Sequence, residues 1–113
     1  MMDMLMGTYQ ELARRTQSKE MNGRMKLYHA VFGLCSEAGE VAGILQKQYQ
    51  GHDVSHEHIM KELGDCLWMI AEACDALNLD MGYVAEQNII KLRQRYPDGF
   101  DPEHSLHRDE GDI

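Results

Sequence analysis

Apolar residues recur at alternating steps of four and three through two long stretches of the chain. The first seam is Leu27, Val31, Leu34, Ala38, Val41 and Leu45, within a helix expected from about Met25 to Gln50. The second is Ile59, Leu63, Cys66, Ile70, Ala73 and Leu77, in a helix that Ser55 would cap and that runs to about Leu77. A first helix is expected over about Met4 to Ser18, with Thr8-x-x-Glu11 as a possible capping box, before Asn22-Gly23 breaks the pattern. Gly51-His52-Asp53 ends the second helix. Asn78-Leu79-Asp80 separates the third from a fourth that reaches about Arg95 and stops at Tyr96-Pro97-Asp98-Gly99. The pattern predicts an all-α fold: an antiparallel bundle of about four helices over 1–100, followed by a polar, irregular tail over 101–113.

Two matching seams joined by a short loop predict a helical hairpin, and the hairpin brings acids together. Glu37 and Glu62 hold the same position relative to their seams, and so do Glu40 and Asp65. If the chain reverses about Gly51, Glu37 stands opposite Asp65 and Glu40 opposite Glu62, all on one flank. Within each helix the i,i+3 spacing brings side chains to roughly 5–6 Å. At an effective dielectric near 20, two charges about 5 Å apart repel by roughly 3 kcal/mol. Protonation, solvent, nearby Lys or Arg, or a divalent cation must offset that load. All-oxygen ligation suits hard ions such as Mg²⁺ or Mn²⁺, which lower the pKa of bound water and clamp phosphate oxygens. Paired acids on a helix are also a common solvated face, so this convergence admits both readings.

Composition narrows the partners. The net charge of −8 is uneven: from Asp98 onward there are six acids against one base, Arg108, leaving the first 97 residues nearly balanced. No basic stripe could track a nucleic-acid backbone, and no apolar run approaches a membrane span. Cys35, Cys66 and Cys74 fall inside helical patterns and suggest no disulfide framework, so a reducing, cytoplasmic setting is expected. The apolar start, Met-Met-Asp-Met-Leu-Met, lacks a basic region and does not read as a signal peptide. A domain of 113 residues leaves much of its surface exposed, which favours association of copies.

Three blocks then carry a resemblance over about Leu27 to Phe100. They are Gly33-Leu34-x-x-Glu37-Ala38-Gly39-Glu40-Val41, Lys61-Glu62-Leu63-Gly64-Asp65-Cys66-Leu67-Trp68, and Asn88-x-x-Lys91-Leu92-x-x-Arg95-Tyr96-Pro97-Asp98-Gly99-Phe100. Together they resemble the MazG-like nucleotide pyrophosphohydrolases of the all-α NTP pyrophosphatase superfamily, whose pattern is ExxE followed by ExxD. The resemblance implies that Glu37, Glu40, Glu62 and Asp65 hold Mg²⁺ (Mn²⁺ also fitting) and carry the catalysis. It implies hydrolysis of a nucleoside triphosphate at the α–β bond to a monophosphate and pyrophosphate. Asn88 and Lys91 would contact the phosphates, with Lys47 a weaker candidate. A homodimer or homotetramer is implied as well. Many relatives carry two successive glutamates where this chain has Ser36 before Glu37, so no general base is assigned.

Other features have plainer readings. Lys91, Arg93 and Arg95 also suit a helix C-terminus electrostatically. His52, His56 and His58 lack the thiolate pair or HxxxH context of a zinc site. His29 reads as a polar bundle residue, and Trp68 as packing against another helix or subunit before nucleobase stacking. The nine methionines read as adaptable filler. Two alternatives stand beside the main reading: a phosphoribosyl-ATP pyrophosphohydrolase, and a non-catalytic helical module that senses a nucleotide or cation. A di-iron bundle would need Glu-x-x-His motifs, which neither acid pair supplies.

Overall fold

The computed structural model describes residues 3–113; Met1 and Met2, which open the apolar start, lie outside the described residues. The fold is all-helical, and among the described residues there are five helices and no strand. The helices are α1 (Met6–Arg14), α2 (Gly23–Tyr49), α3 (His56–Ala76), α4 (Met81–Arg95) and α5 (Pro102–Leu106).

Local chemistry sets most of these ends. The Asn22 side chain accepts from the Met25 N–H at 2.9 Å and opens α2, while the Ser55 hydroxyl accepts from the His58 N–H at 3.1 Å and opens α3. Gly51, at φ 101°, makes the reversal between them. Asn78 takes the left-handed conformation at φ 55°, letting the Leu79 N–H donate back to the Cys74 carbonyl at 2.8 Å and close α3. The expected Thr8–Glu11 box does not form. Leu5 is the N-cap and makes no side-chain cap, because Thr8 already lies inside the helix. α1 also stops short of Ser18, passing into turn bonds from Thr16 to Ala13 and from Gln17 to Arg14.

α2 and α3 form the expected antiparallel hairpin, the most extensive helix pairing in the molecule. Gly33 and Met69, equally far from Gly51 along the chain, are in contact: a Cβ on Gly33 would lie 2.5 Å from Met69 Sδ. The inward stripe differs from the expected seam. Val31, Leu45, Leu63 and Leu77 are 44–54% exposed, whereas Ala30 and Ile44 are buried. Both helices carry apolar residues on two faces, and the pairing uses the stripe of α2 that includes Ala30, Gly33 and Ile44. This turns Glu37 and Glu62 inward from the flank, and both are half-buried.

The apolar core is small: Ala13, Ala71, Cys74 and Met81, with Tyr9, Trp68 and Ile70 packed against it. Polar bonds fasten α1 to this core. Gln10 donates to Asp75 and to the Leu79 carbonyl, and accepts from the Met81 N–H, at 2.7–2.9 Å. Trp68 Nε1 donates to Thr16 Oγ1 at 2.7 Å, so the packing role expected of Trp68 is the one observed. The chain is open for its size. Its radius of gyration is 17.1 Å, where a compact domain of this length has about 13 Å. It exposes 8874 Å², against about 6300 Å² for a compact monomer of this mass.

The tail read as irregular holds α5, opened by the Asp101 side chain accepting from the Glu103 N–H at 2.9 Å, with Pro102 in the first turn. Among the described residues, no helix is long and apolar enough to cross a membrane.

Candidate metal centre

The hairpin register places Glu37 midway along α2 against Glu62 and Asp65 on α3. One carboxylate oxygen from each can be chosen so that all three lie within 4.8 Å of one another. Among the described residues, no Lys or Arg forms an ion pair with any of the three. The cost falls on Glu37. Burial, a hydrogen bond shared with Glu62, and the charges of Asp65, Glu62 and Glu40 all push its pKa above the ordinary carboxylate value of 4.5. Carboxylates in such contact share a proton or share a cation.

Glu40 is near enough to raise Glu37 electrostatically but stands outside the three-acid group. It lines a neighbouring cleft of about 330 Å³ with Ser36, Lys47 and His58. Lys47 shares that cleft with Glu40, two turns further along α2, and the three clustered acids do not line it. Asn88 and Lys91 are not brought to the carboxylates within one chain. Both are exposed on α4, which packs against α1 and buries Met81 in the core cluster.

Two neighbours of the cluster were missed by sequence reasoning. His58 Nε2 lies 3.5 Å from Glu62 Oε1, one helical turn away; its i,i+4 spacing from Glu62 was the available signal. Tyr9 of α1 is near enough to Asp65 for that charge to act on it: burial first, then the Asp65 charge, raises its hydroxyl pKa. No local pattern announces that proximity. Further along the hairpin, His29 Nδ1 is hydrogen-bonded to the fully buried Glu72, the polar bundle role expected of it.

The donor set is all carboxylate oxygen, partly desolvated and without a basic partner, and it fits a hard divalent cation. The fold is thus an all-α helical hairpin with a candidate cation site between its two long helices. The chain belongs to the MazG family: the model of the MazG nucleotide pyrophosphohydrolase domain matches residues 28–100, which contain the whole cluster. The chain is also similar to the Gene 37 protein of Mycobacterium phage L5, at 30% identity over 74 residues. That match covers 61% of this chain and 65% of the phage protein, so the chain spans less than two thirds of that relative's length. No solved structure matches the chain.

Proposed function

We propose that this chain hydrolyses a nucleoside triphosphate to the monophosphate and pyrophosphate with the help of Mg²⁺ or Mn²⁺. The observation that carries this reading is the three-carboxylate cluster, free of any Lys or Arg partner, inside the segment matched by the family model. When bound, the divalent ion supplies charge neutralisation for the phosphates and acidifies water. Glu37, Glu62 and Asp65 are the residues that would hold it, with Glu40 completing the set from the adjoining cleft. Glu37, whose raised pKa favours the protonated carboxyl, would have to lose that proton to hold the cation. Lys47, in the cleft it shares with Glu40, can neutralise a phosphate oxygen at the edge of the site. His58, within reach of Glu62, orients that carboxylate.

Asn88 and Lys91 serve the phosphates in this reading from a second copy of the chain. The openness of the monomer supports association. The excess exposed area over a compact monomer is about 2500 Å², a size that suits a permanent dimer interface. Exposed Val31, Leu63, Val84 and Ile90 supply apolar surface for it. Residues 1–100 would then act as one catalytic domain, working in the cytoplasm.

The test is pyrophosphate release from a panel of NTPs, dNTPs and phosphoribosyl-ATP, with and without Mg²⁺. Asp65→Ala or Glu62→Ala should lower release by more than about 100-fold. Release that survives both changes refutes the assignment. No release from any nucleotide favours the cation-sensing module, a reading that Ser36 in place of the usual glutamate keeps open.

A further inference from the structure

The acidic tail does not hang free. After α5 the chain turns at Gly111 (φ 89°), with the Asp112 N–H donating to the Asp109 carbonyl at 3.0 Å, and returns to the last turn of α4. There both oxygens of Asp112 are engaged by one guanidinium. Arg95 Nε donates to Oδ2 and Arg95 Nη2 to Oδ1, each at 2.8 Å. The two side chains are only 10% and 13% exposed, unusually sheltered for a pair on an open helix. Lys91, one turn earlier on the same face, and Arg108 add positive charge at the same carboxylate. A hydrogen bond from Arg95, opposed by burial and reinforced by the charges of Arg95, Arg108 and Lys91, holds Asp112 below the ordinary range of an aspartate.

A planar fork that grips a carboxylate by two parallel bonds grips two phosphate oxygens in the same way. Asp112 therefore stands where a phosphate group would stand on the Lys91–Arg95 face. Next to it, Gln94, Asp109, Glu110 and Gly111 line a cleft of about 430 Å³ whose acids would repel an incoming anion. We propose that residues 109–112 form an acidic strap that occupies the anion site of Arg95 and Lys91 and yields it to the polyphosphate of a nucleotide. This rests on the reading above that Lys91 contacts phosphate, and it adds Arg95 and a competitor to that reading. The strap is tethered, so it competes at an effective concentration in the millimolar range. A single carboxylate is a weak rival for a polyphosphate of several charges, so the strap sets a threshold for entry and does not block the site.

Binding of inorganic tripolyphosphate, without divalent ions, tests this directly. By calorimetry Asp112→Asn should bind it about threefold or more tighter than the unaltered chain, and adding Lys91→Gln should remove the gain. Equal or weaker binding by Asp112→Asn overturns the strap, as does a gain that Lys91→Gln leaves untouched. In the unaltered chain, the amide resonances of Gly111 and Asp112 should move toward random-coil positions as tripolyphosphate is added. Resonances that stay in place at saturation overturn it, whatever the stability of the variant. Pyrophosphate release in Mg²⁺, read on the same proteins, separates the two claims. Release without the binding gain sinks the strap alone, and the gain without release sinks the catalytic reading alone.

Discussion

Helix α3 carries acids in two places, and they are treated in opposite ways. Near its C-terminus, Asp75 has both oxygens occupied: Oδ1 by Arg14 at 2.7 Å and Gln10 at 2.8 Å, and Oδ2 by Gln17 at 2.8 Å. Burial pushes its pKa up, but the hydrogen bonds from Arg14, Gln17 and Gln10 and the Arg14 charge outweigh it, and the group lies below the ordinary aspartate range. Three turns earlier, Glu62 and Asp65 meet Glu37 across the hairpin, where burial and like charge push Glu37 the other way. Partial burial alone does not separate these sites. The partners do: an acid saturated with donors fastens helices, and acids that face one another store a demand for positive charge.

If that distinction holds, Asp75 is worth stability and little else. Asp75→Ala removes the acceptor for three side chains: it strands the buried Gln17 amide and leaves Gln10 only its bonds to the Leu79 carbonyl and the Met81 N–H. The loss should be about 3 kcal/mol in denaturant unfolding at fixed protein concentration. Most of it comes from the two glutamines, because Arg14 is 53% exposed and its ion pair is screened. Since the folded pKa of Asp75 is lowered, its contribution is present above the ordinary aspartate range and is lost as pH falls through the lowered value. Pyrophosphate release by the surviving folded fraction should be unchanged. A variant that stays stable but loses release would erase the contrast.

The same contrast explains which parts of the molecule were legible beforehand. Caps and breaks are local, so Asn22, Ser55, Gly51 and Asn78 announced α2, α3 and their turns to within a residue or two. The register about Gly51 followed, and with it the meeting of Glu37 and Asp65. The choice of inward stripe was not legible, because α2 and α3 carry apolar residues on two faces and period alone cannot say which faces the partner. That is why Leu63 and Leu45 ended outside and Glu37 turned inward. The Asp75 network was hidden for a different reason: Gln10 and Asp75 are 65 residues apart, and polar residues on a short helix look solvated until their partner is known. The Arg95–Asp112 pair, 17 residues apart across a turn, was hidden in the same way.

At the cluster the expected stability effect is smaller and of opposite sign. A carboxyl whose folded pKa is raised contributes stability that is present below the ordinary value of 4.5 and lost as pH rises through the raised one. Metal-free protein should therefore become less stable over that interval, and Glu37→Gln should remove this part of the slope and slightly raise the melting temperature. Mg²⁺ or Mn²⁺ binds the ionised form, so its stabilising effect should grow as pH rises through the same interval and should shrink in Glu37→Gln. Melting curves with and without the ion at two pH values decide it. A metal shift that does not depend on pH or on Glu37 would place the ion elsewhere.

The smallest effect concerns Trp68, one turn beyond Asp65 and so at the border between the two places. Its indole N–H donates to Thr16 Oγ1, which itself donates to the Ala13 carbonyl at 2.7 Å, and its ring packs on the small core shared by α1 and α3. Those contacts assign it to the fastening region. Trp68→Phe keeps an aromatic ring but loses one hydrogen bond to a group that water can reach, so the cost should be about 1 kcal/mol. With the ring acting only as packing, KM for the nucleotide should stay within about twofold, a change worth roughly 0.4 kcal/mol. A KM rise of tenfold with little change in melting temperature would move Trp68 to the other region. It would mean that the indole stacks on a nucleobase, and that the line between fastening and binding on α3 runs between Trp68 and Asp75 and not between Asp65 and Trp68.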